Sequence, residues 1–242
     1  MAGQRLEAVT TLTNRSAAEE LKRISDGFEE KPPRQVLRWA LGRFQSDLAL
    51  ACSFGAEDVA LVDMISRIDP STKVFYLDTG ALFPETYELI ERVAERYNVQ
   101  LLRAAPAVTL SDQARLYGDE LWKLQPDLCC DIRKVQPLTT MLGPLDAWIT
   151  GVRREQAPTR ANVGIVEWDF KFGLVKVNPL ARWTNAEVRR YIAENDVPYN
   201  PLHDRGYPSI GCTHCTWPVE PGEDPRAGRW AGTDKIECGL HR

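Results

Sequence analysis

Residues 48–58 read LALACSFGAED, and this stretch decides the fold. A short apolar run ends at Cys52, a glycine turn follows, and apolar residues then recur at helical spacing as far as Ile68. The pattern predicts a buried strand, a tight turn and a helix. Amide N–H groups at the start of such a helix attract phosphate or sulfate, and Gly55 lets the backbone approach an anion closely.

The turn also departs from two common classes of nucleotide site. It lacks the Gly-Lys-Ser or Gly-Lys-Thr ending of a nucleoside-triphosphate P-loop, and it lacks the full dinucleotide fingerprint. ATP hydrolysis and nicotinamide binding are therefore disfavoured, and a smaller nucleotide is expected. Because many α/β proteins contain such a turn, the ligand must be inferred from the rest of the chain.

The alternation of strand and helix patterns continues along the chain. Further strands are predicted at residues 73–78, 99–103, 147–152 and 174–177. Helices are predicted at residues 84–97, beginning with a proline, and from the capping box at residues 184–187 to about Glu194. Alternating strands and helices predict an α/β fold in which helices cover both faces of a parallel sheet.

The chain divides into three parts. Residues 1–46 are amphipathic and predict N-terminal helices that pack on the core, and residues 47–217 form the main domain. Helical periodicity stops after Pro198, and the segment from Pro218 to Thr233 holds three prolines and three glycines. Residues 218–242 are therefore predicted to form a mobile C-terminal arm.

The composition is that of an ordinary globular protein, with 43% hydrophobic and 26% charged residues in a chain of 242. A net charge of −4 and a pI near 5.5 argue against a general nucleic-acid binder, which needs a basic surface. No apolar stretch approaches the roughly 18 residues of a membrane span. A cytoplasmic protein without a membrane partner is expected, and the sequence leaves a homo-oligomer open.

Six cysteines are too few for a disulfide scaffold in a chain of this length. Two local pairs, Cys129-Cys130 and Cys212-Thr-His-Cys215, match either a tetrahedral zinc site or an iron–sulfur cluster. Adjacent residues on a helix diverge by about 100°. That divergence hinders binding of one small ion and favours the separate corner irons of a [4Fe-4S] cluster. Buried or redox-pairing thiols are the remaining alternative.

Cys238 lies near the end of the chain, between Lys235 and His241. Neighbouring cations stabilise a thiolate, so Cys238 is a candidate nucleophile. Taken alone, the segment is explained equally well by an incidental exposed thiol. Cys52, at the end of an apolar strand, is expected to be structural.

Several cations stand close in sequence to these cysteines. Lys134 follows Cys130 by one helical turn, which places an ammonium group beside the predicted cluster. Arg226 and Arg229 lie on the same arm as Cys238. Most surface arginines are merely solvated, but this placement predicts an anion held between the cluster and the arm.

Six motifs stand in order along the chain. They are Ser53-Phe-Gly-Ala-Glu-Asp58, Leu77-Asp-Thr-Gly80, Cys129-Cys-Asp-Ile-Arg-Lys134, Gly151-Val-Arg-Arg-Glu-Gln156 with Thr159-Arg160, Gly211-Cys-Thr-His-Cys215, and Glu237-Cys-Gly-Leu-His241. Together they resemble assimilatory adenylyl-sulfate (APS) reductases, which belong to the phosphoadenylyl-sulfate (PAPS) reductase family. The resemblance runs from about Asp47 to His241, and the cysteine set is its most specific part.

The resemblance implies a Rossmann-like sheet of the adenine nucleotide alpha hydrolase type, with APS bound at the carboxyl ends of the strands. In that family the cysteine of the tail attacks the sulfate sulfur and releases AMP, leaving S-sulfocysteine on the enzyme. Thioredoxin then releases sulfite. The implied role is in sulfate assimilation and cysteine biosynthesis.

The resemblance also implies roles for particular residues. Catalytic roles fall to Cys238, His241 and Lys134. Substrate contacts fall to Ser53, Gly55, Glu57, Asp58, Leu77, Asp78, Thr79, Gly80, Gly151, Arg160, Arg226 and Arg229. The implied ligands of the [4Fe-4S] cluster are Cys129, Cys130, Cys212 and Cys215.

Three alternatives remain open from the sequence. A PAPS reductase, or an enzyme that accepts both nucleotides, uses the same tail cysteine, although a PAPS reductase lacks the four-cysteine set. A tRNA-thiolating ATP pyrophosphatase needs an intact phosphate loop and a basic surface, and neither is visible. A non-catalytic adenine-nucleotide sensor with an iron–sulfur centre would not need Cys238.

Overall fold

The computed structural model describes residues 18–240. His241, predicted to be catalytic, lies outside the described residues, as does the first part of the predicted N-terminal helical region. Within residues 18–240, none of the helices combines the length and apolar composition that a membrane span requires.

Six strands within the described residues form one sheet. They are β1 Leu48–Ala51, β2 Lys73–Leu77, β3 Leu101–Ala104, β4 Ala147–Ile149, β5 Val166–Asp169 and β6 Leu174–Val177. Their order is β3-β2-β1-β4-β6-β5, and every neighbouring pair except the last is parallel. The carboxyl ends of β1, β2 and β4 therefore meet at one edge of the sheet.

The predicted parallel arrangement is confirmed for five strands, and β5 departs from it. β5 runs antiparallel to β6 with Val166 opposite Val177, and the two strands form a hairpin. The turn between them is closed by Asp169, whose carbonyl oxygen accepts a hydrogen bond from Gly173 N at 2.7 Å. Gly173 has a φ of 72°, which glycine adopts without strain. The hairpin lies at the edge of the sheet, where it does not affect the cleft.

The helices surround this sheet. They are α1 (described from residue 18 to residue 28), α2 Pro33–Phe44, α3 Ala56–Ser66, α4 Pro84–Tyr97, α5 Leu110–Tyr117, α6 Leu121–Leu124, α7 Pro126–Cys130, a π-helix at Asp131–Val135, α8 Gln136–Leu142 and α9 Asn185–Glu194. The two helices predicted before the sheet are confirmed as α1 and α2. The predicted capping box is also confirmed, because Thr184 Oγ1 accepts a hydrogen bond from Glu187 N and the Glu187 carboxylate accepts one from Thr184 N.

Helices cover both faces of the sheet, as the sequence predicts. Successive side chains of a strand point to opposite faces. Leu48 and Leu50 accordingly lie in the larger buried core, which α2, α3, α4 and α9 complete, while Ala49 lies in a smaller core. The smaller core contains the buried Trp148 and Leu138 of α8. The strand ends between the two cores form a rigid base for the site.

The first half of the predicted arm is tied to the main domain. Thr216 pairs with Arg229 in an antiparallel bridge, Trp217 N donates to Gly228 O at 2.9 Å, and Trp230 N donates to Cys215 O at 3.1 Å. A side-chain carbon at Gly228 would lie 2.0 Å from the carbonyl oxygen of Trp217, so only glycine fits in this pairing. The mobility predicted for residues 218–242 stays a prediction.

Candidate active site

A cavity of about 180 Å³ opens at the carboxyl ends of β1, β2 and β4. Open α/β sheets bind their ligands at this edge. Several residues predicted for substrate binding or catalysis line it: Ser53, Glu57, Asp58, Leu77, Thr79, Lys134, Gly151 and Arg160. The other predicted substrate residues do not line it: Gly55, Asp78, Gly80, Arg226 and Arg229.

Asp58 joins the loop after β1 to the loop after β4. Its Oδ2 atom accepts hydrogen bonds of 2.6 Å from both the amide and the hydroxyl of Ser53, and its carboxylate also accepts one from Gly151 N. Burial raises the pKa of Asp58 to about 6, even though the bonds from Ser53 favour the ionised form. Asp58 thus organises the two loops and also lines the cavity, and the substrate contact that the resemblance implies stays a prediction.

Gly151 is required by the close approach of these two loops. A side-chain carbon at this position would lie 2.2 Å from Asp58 Oδ1 and 2.9 Å from Glu57 Cβ. Gly55 has a different role, since it precedes α3 and its carbonyl oxygen accepts the first hydrogen bonds of that helix, from Asp58 N and Val59 N.

We expect Gly151→Ala to weaken the AMP binding that the resemblance implies by at least about tenfold and to lower the free energy of unfolding by about 1–3 kcal/mol, because the added methyl group must displace the Asp58 carboxylate. Calorimetric titration with AMP and denaturant unfolding measure the two effects. The matched control is Gly42→Ala in α2, where nothing lies within 4 Å of the new carbon. If both variants bind AMP as the wild type does, the loops do not form the nucleotide site.

Glu57 is held in place by a buried arginine. Arg153 Nε donates to Glu57 Oε1 at 2.8 Å, and Gln156 Nε2 donates to the same oxygen at 3.0 Å. Arg154, the next residue, points away and pairs with Glu29 at 2.5 and 2.9 Å. Of the two adjacent arginines, only Arg153 therefore faces the cavity edge.

The turn after β2 is organised by Asp78. Its carboxylate accepts hydrogen bonds from Gly80 N at 2.9 Å, from the Tyr87 hydroxyl at 2.7 Å and from Arg103 Nε at 2.6 Å. Burial opposes ionisation, yet these bonds lower the pKa of Asp78 overall. The buried Arg133 donates to Thr79 O at 3.0 Å. Asp78, Gly80 and Arg133 thus position Thr79 at the cavity.

Four cysteines line a second, small cavity beside the first. Cys129 and Cys130 end α7, immediately before the π-helix, while Cys212 precedes a single 3-10 turn and Cys215 ends it. Burial, reinforced by the charge of Cys212, raises the pKa of Cys215 to about 12. Burial likewise raises the pKa of Cys129 and of Cys130. The structure brings the two predicted pairs together.

The donor set fits an iron–sulfur cluster in its chemistry. Cys130 and Cys215 are buried and Cys129 and Cys212 are partly buried, so four thiolates here would repel one another. A metal centre supplies the positive charge that allows such thiols to ionise. Within residues 18–240, no three histidine, cysteine or acidic side chains are grouped so that they could hold a metal ion. The four thiols surround a common cavity instead of converging on one point, and the cofactor stays a proposal.

Cys238 packs against this group. Its side chain is half-buried and contacts a cluster formed by Cys130, Cys215 and Trp230. Lys134 lines both cavities, between the nucleotide side and the cysteines. Burial lowers the pKa of Lys134, but the charges of Cys212 and Cys238 raise it more, so the overall shift is upward. Lys134 was predicted to lie beside the cluster, and it lines the cavity that the four cysteines line.

Glu237, the residue before Cys238, has an exposed side-chain fraction of only 4%. Arg160 Nε and Nη2 donate to its two carboxylate oxygens, each at 2.9 Å. Arg226 Nη2 donates to Oε2 at 3.0 Å, and the Thr159 hydroxyl donates to Oε1 at 3.2 Å. Two arginines predicted to bind substrate therefore share a carboxylate of the arm.

A family model described as the phosphoadenosine phosphosulfate reductase domain matches residues 47–218. The chain belongs to this family. An adenosine 5'-phosphosulfate reductase of Halalkalibacterium halodurans is 49% identical over 92% of this chain and 96% of its own length. A phosphoadenosine 5'-phosphosulfate reductase of Gloeobacter violaceus is 48% identical over 91% of this chain and 93% of its own length.

A solved structure agrees with this assignment. The crystal structure of phosphoadenylyl-sulfate (PAPS) reductase from Candida auris, a phosphate complex, superimposes with a TM-score of 0.71 at 34% identity, covering 82% of this chain and 97% of that chain. The predicted α/β fold of this reductase family is confirmed. The protein is an enzyme of the oxidoreductase class, as the sequence predicts.

The structure adds residues of this family member that the sequence reasoning missed. Trp230 is buried and lies 4.5 Å from the Arg229 guanidinium and 5.7 Å from Lys235 Nζ, measured to its ring centroid. The ring of Trp122 stacks on that of His214 at 4.1 Å beside the cysteines. The only sequence signal for these ring contacts is the presence of aromatic residues near the cysteine motifs. The contact between Trp122 and His214 joins distant parts of the chain, so no local pattern predicts it.

Proposed function

We propose that the protein reduces adenosine 5'-phosphosulfate (APS) to sulfite and AMP through a covalent intermediate on Cys238, with thioredoxin as the reductant. The observation that carries the proposal is the position of Cys238, which is half-buried against Cys130 and Cys215. These two cysteines line the same small cavity as Lys134, and Lys134 also lines the larger cavity. Relatives named adenosine 5'-phosphosulfate reductase at 49% and 50% identity support the same substrate.

The chemistry balances in two steps. The Cys238 thiolate attacks the sulfur of the sulfo group, the bond from that sulfur to the phosphate oxygen of AMP breaks, and AMP leaves with the bonding pair. One thiolate of thioredoxin then attacks the Cys238 sulfur and releases sulfite. The second thioredoxin thiol displaces Cys238 from the mixed disulfide, so the two electrons come from the dithiol.

The cations around the cavity support this reaction. The thiolate and the sulfo group are both anionic, so their approach requires flanking positive charge, and AMP needs stabilisation as it leaves. Lys134 and Arg160 line the cavity. Arg226 and Arg229 stand on the arm, and the Arg229 guanidinium lies against Gly211, which lines the cavity. In this proposal these four side chains bind and orient the phosphosulfate.

The proposal includes a [4Fe-4S] cluster held by Cys129, Cys130, Cys212 and Cys215. When bound, such a cluster supplies a fixed centre of charge and joins two segments of the chain. The residues around it exclude water: Trp122 stacks on His214, and Trp230 is buried against the cysteines.

We also propose that Cys238 moves between the cavity and thioredoxin. Because residues 216–230 are held by backbone hydrogen bonds, the movement is assigned to the segment after Trp230. Gly232 lies near the start of this segment; it is exposed and has a φ of 82°. The proposed arm of residues 218–242 thus has a first half paired by backbone hydrogen bonds and a second half held through the Glu237 side chain, whose release would move Cys238.

Hydrogen exchange tests this division of the arm. We expect backbone amides after Trp230 to exchange at least about tenfold faster than those of the bridge between Thr216 and Arg229, because the bridge amides are paired. Exchange is followed by mass spectrometry of peptides on either side of Trp230. Equal protection along the whole arm would contradict the proposed movement.

The test of the function is sulfite release from APS and from PAPS, with iron and acid-labile sulfide measured on the same sample. We expect sulfite from APS in the presence of thioredoxin, which would place the protein in sulfate assimilation and cysteine biosynthesis. Relatives of both names are nearly equally similar, at 49% and 48% identity, so the ratio of kcat/KM for the two nucleotides decides the substrate. No sulfite from either nucleotide would refute the proposal.

A further inference from the structure

The Glu237 carboxylate is the anionic partner of the cationic side of the cavity. It receives three hydrogen bonds from Arg160 and Arg226, and a fourth from the Thr159 hydroxyl. Arg226 Nη2 also donates to Ile236 O at 2.9 Å, which fixes the backbone of the arm next to Glu237. The arm is thus fastened to the main domain one residue before the nucleophile.

The interaction is well shielded from solvent. The exposed side-chain fractions are 4% for Glu237, 11% for Arg160 and 15% for Arg226. Burial opposes ionisation of this carboxyl group, but the charges and hydrogen bonds of Arg160 and the charge of Arg226 lower the pKa of Glu237 overall. A shielded, charge-assisted fork of this kind holds its partners in one geometry.

Arg160 takes part in two features of the site, the cavity lining and the contact that holds the arm. It lines the nucleotide cavity, and its guanidinium forms the fork that holds the arm. Gln156 Oε1 accepts a third hydrogen bond from Arg160, at 2.6 Å, so the guanidinium is oriented before any ligand binds. While Glu237 is docked, part of the positive charge of this side of the cavity is neutralised by the arm.

We infer that Glu237 is a positioning residue: its carboxylate, held by Arg160 and Arg226, sets Cys238 beside the substrate and competes with the substrate anion for the same two arginines. This inference rests on the proposed function for the identity of the substrate. Docking of the arm and binding of the anion therefore oppose each other. An arm without this carboxylate leaves the arginines free for the nucleotide but leaves Cys238 unplaced.

The test is Glu237→Gln in the cluster-containing protein. We expect kcat to fall at least tenfold, because the amide NH₂ group faces a guanidinium and cannot complete the fork. We expect the Kd for AMP to stay at or below the wild-type value, since Arg160 and Arg226 lose a competing anion. Iodoacetamide should alkylate Cys238 at least fivefold faster, as followed by mass spectrometry of the C-terminal peptide.

Two further variants make the result specific. Glu237→Asp keeps the charge and should recover part of the wild-type kcat, whereas Asp234→Asn removes an exposed carboxylate from the same arm and should change none of the three measurements. A Glu237→Gln protein with weaker AMP binding, with unchanged kcat or with unchanged alkylation of Cys238 overturns the inference. The rate of Cys238 alkylation and the Kd for AMP do not depend on turnover. They therefore test the positioning role of Glu237 even if the wild type makes no sulfite.

Discussion

Cys238→Ser is expected to lower sulfite release from APS by at least about a thousandfold, because a serine hydroxyl is not ionised near neutral pH and the thiolate is the nucleophile. The affinity for AMP should remain within about twofold of the wild type, since Cys238 does not line the nucleotide cavity and Glu237 still fastens the arm. Steady-state sulfite assays and calorimetric titration with AMP measure the two quantities.

A single-turnover experiment supplies the control. Wild-type protein mixed with APS, without thioredoxin, should gain the mass of one sulfo group on the C-terminal peptide, and Cys238→Ser should gain none. A variant that still releases sulfite at a tenth of the wild-type rate or more would require another nucleophile. Retention of nucleotide binding in a wild type that forms no adduct would favour the non-catalytic sensor.

Local signals explain why most elements were predictable. The proline at the start of α4 and the capping box of α9 specify where those helices begin, and both predictions are confirmed. β5 was not predicted although Val166-Glu-Trp-Asp169 alternate apolar and polar side chains, because four residues are a short signal. Its antiparallel pairing with β6 depends on the turn at Gly173 and on the ion pair between Lys176 and Glu167 at 3.3 Å.

In the site, too, local sequence patterns predict some features, whereas contacts that depend on the fold are not predicted. Motif chemistry grouped the four cysteines that line one cavity, since thiols in two local pairs have few other uses in a chain with too few cysteines for a disulfide scaffold. It assigned Asp58 and Asp78 to substrate contact without their roles in the loops, because a carboxylate in a ligand loop serves equally well to bind a substrate or to bind its own backbone. Their bonds to nearby amides become visible only in the fold.

Glu237 illustrates a further reason for missed residues. Glu237 belongs to the motif Glu237-Cys-Gly-Leu-His241, but the motif was interpreted through the thiol of Cys238, and no role was predicted for the carboxylate. Its partners Arg160 and Arg226 lie 77 and 11 residues away. A charge pair across such distances has no local pattern, so only the placement of the arm on the main domain reveals it.

Cys130→Ser is expected to remove at least about 90% of the iron and acid-labile sulfide and to lower sulfite release by about a hundredfold or more, because a serine oxygen is a poor ligand for an iron–sulfur cluster. Cys130 is buried in the middle of the cysteine group, so its loss should also loosen the contact with Cys215 and Trp230. Iron and sulfide analysis per chain, together with the temperature of unfolding, measures these effects.

The matched control is Cys238→Ser, which makes the same chemical change a short distance away and should retain the full complement of iron and sulfide. This pair of variants separates the cluster ligand from the nucleophile, since both abolish activity for different reasons. A wild type with one zinc ion per chain and no sulfide would establish the tetrahedral zinc site instead. Full activity of metal-free protein would show that Cys129, Cys130, Cys212 and Cys215 serve only as buried thiols, and the role proposed for the cluster would fall.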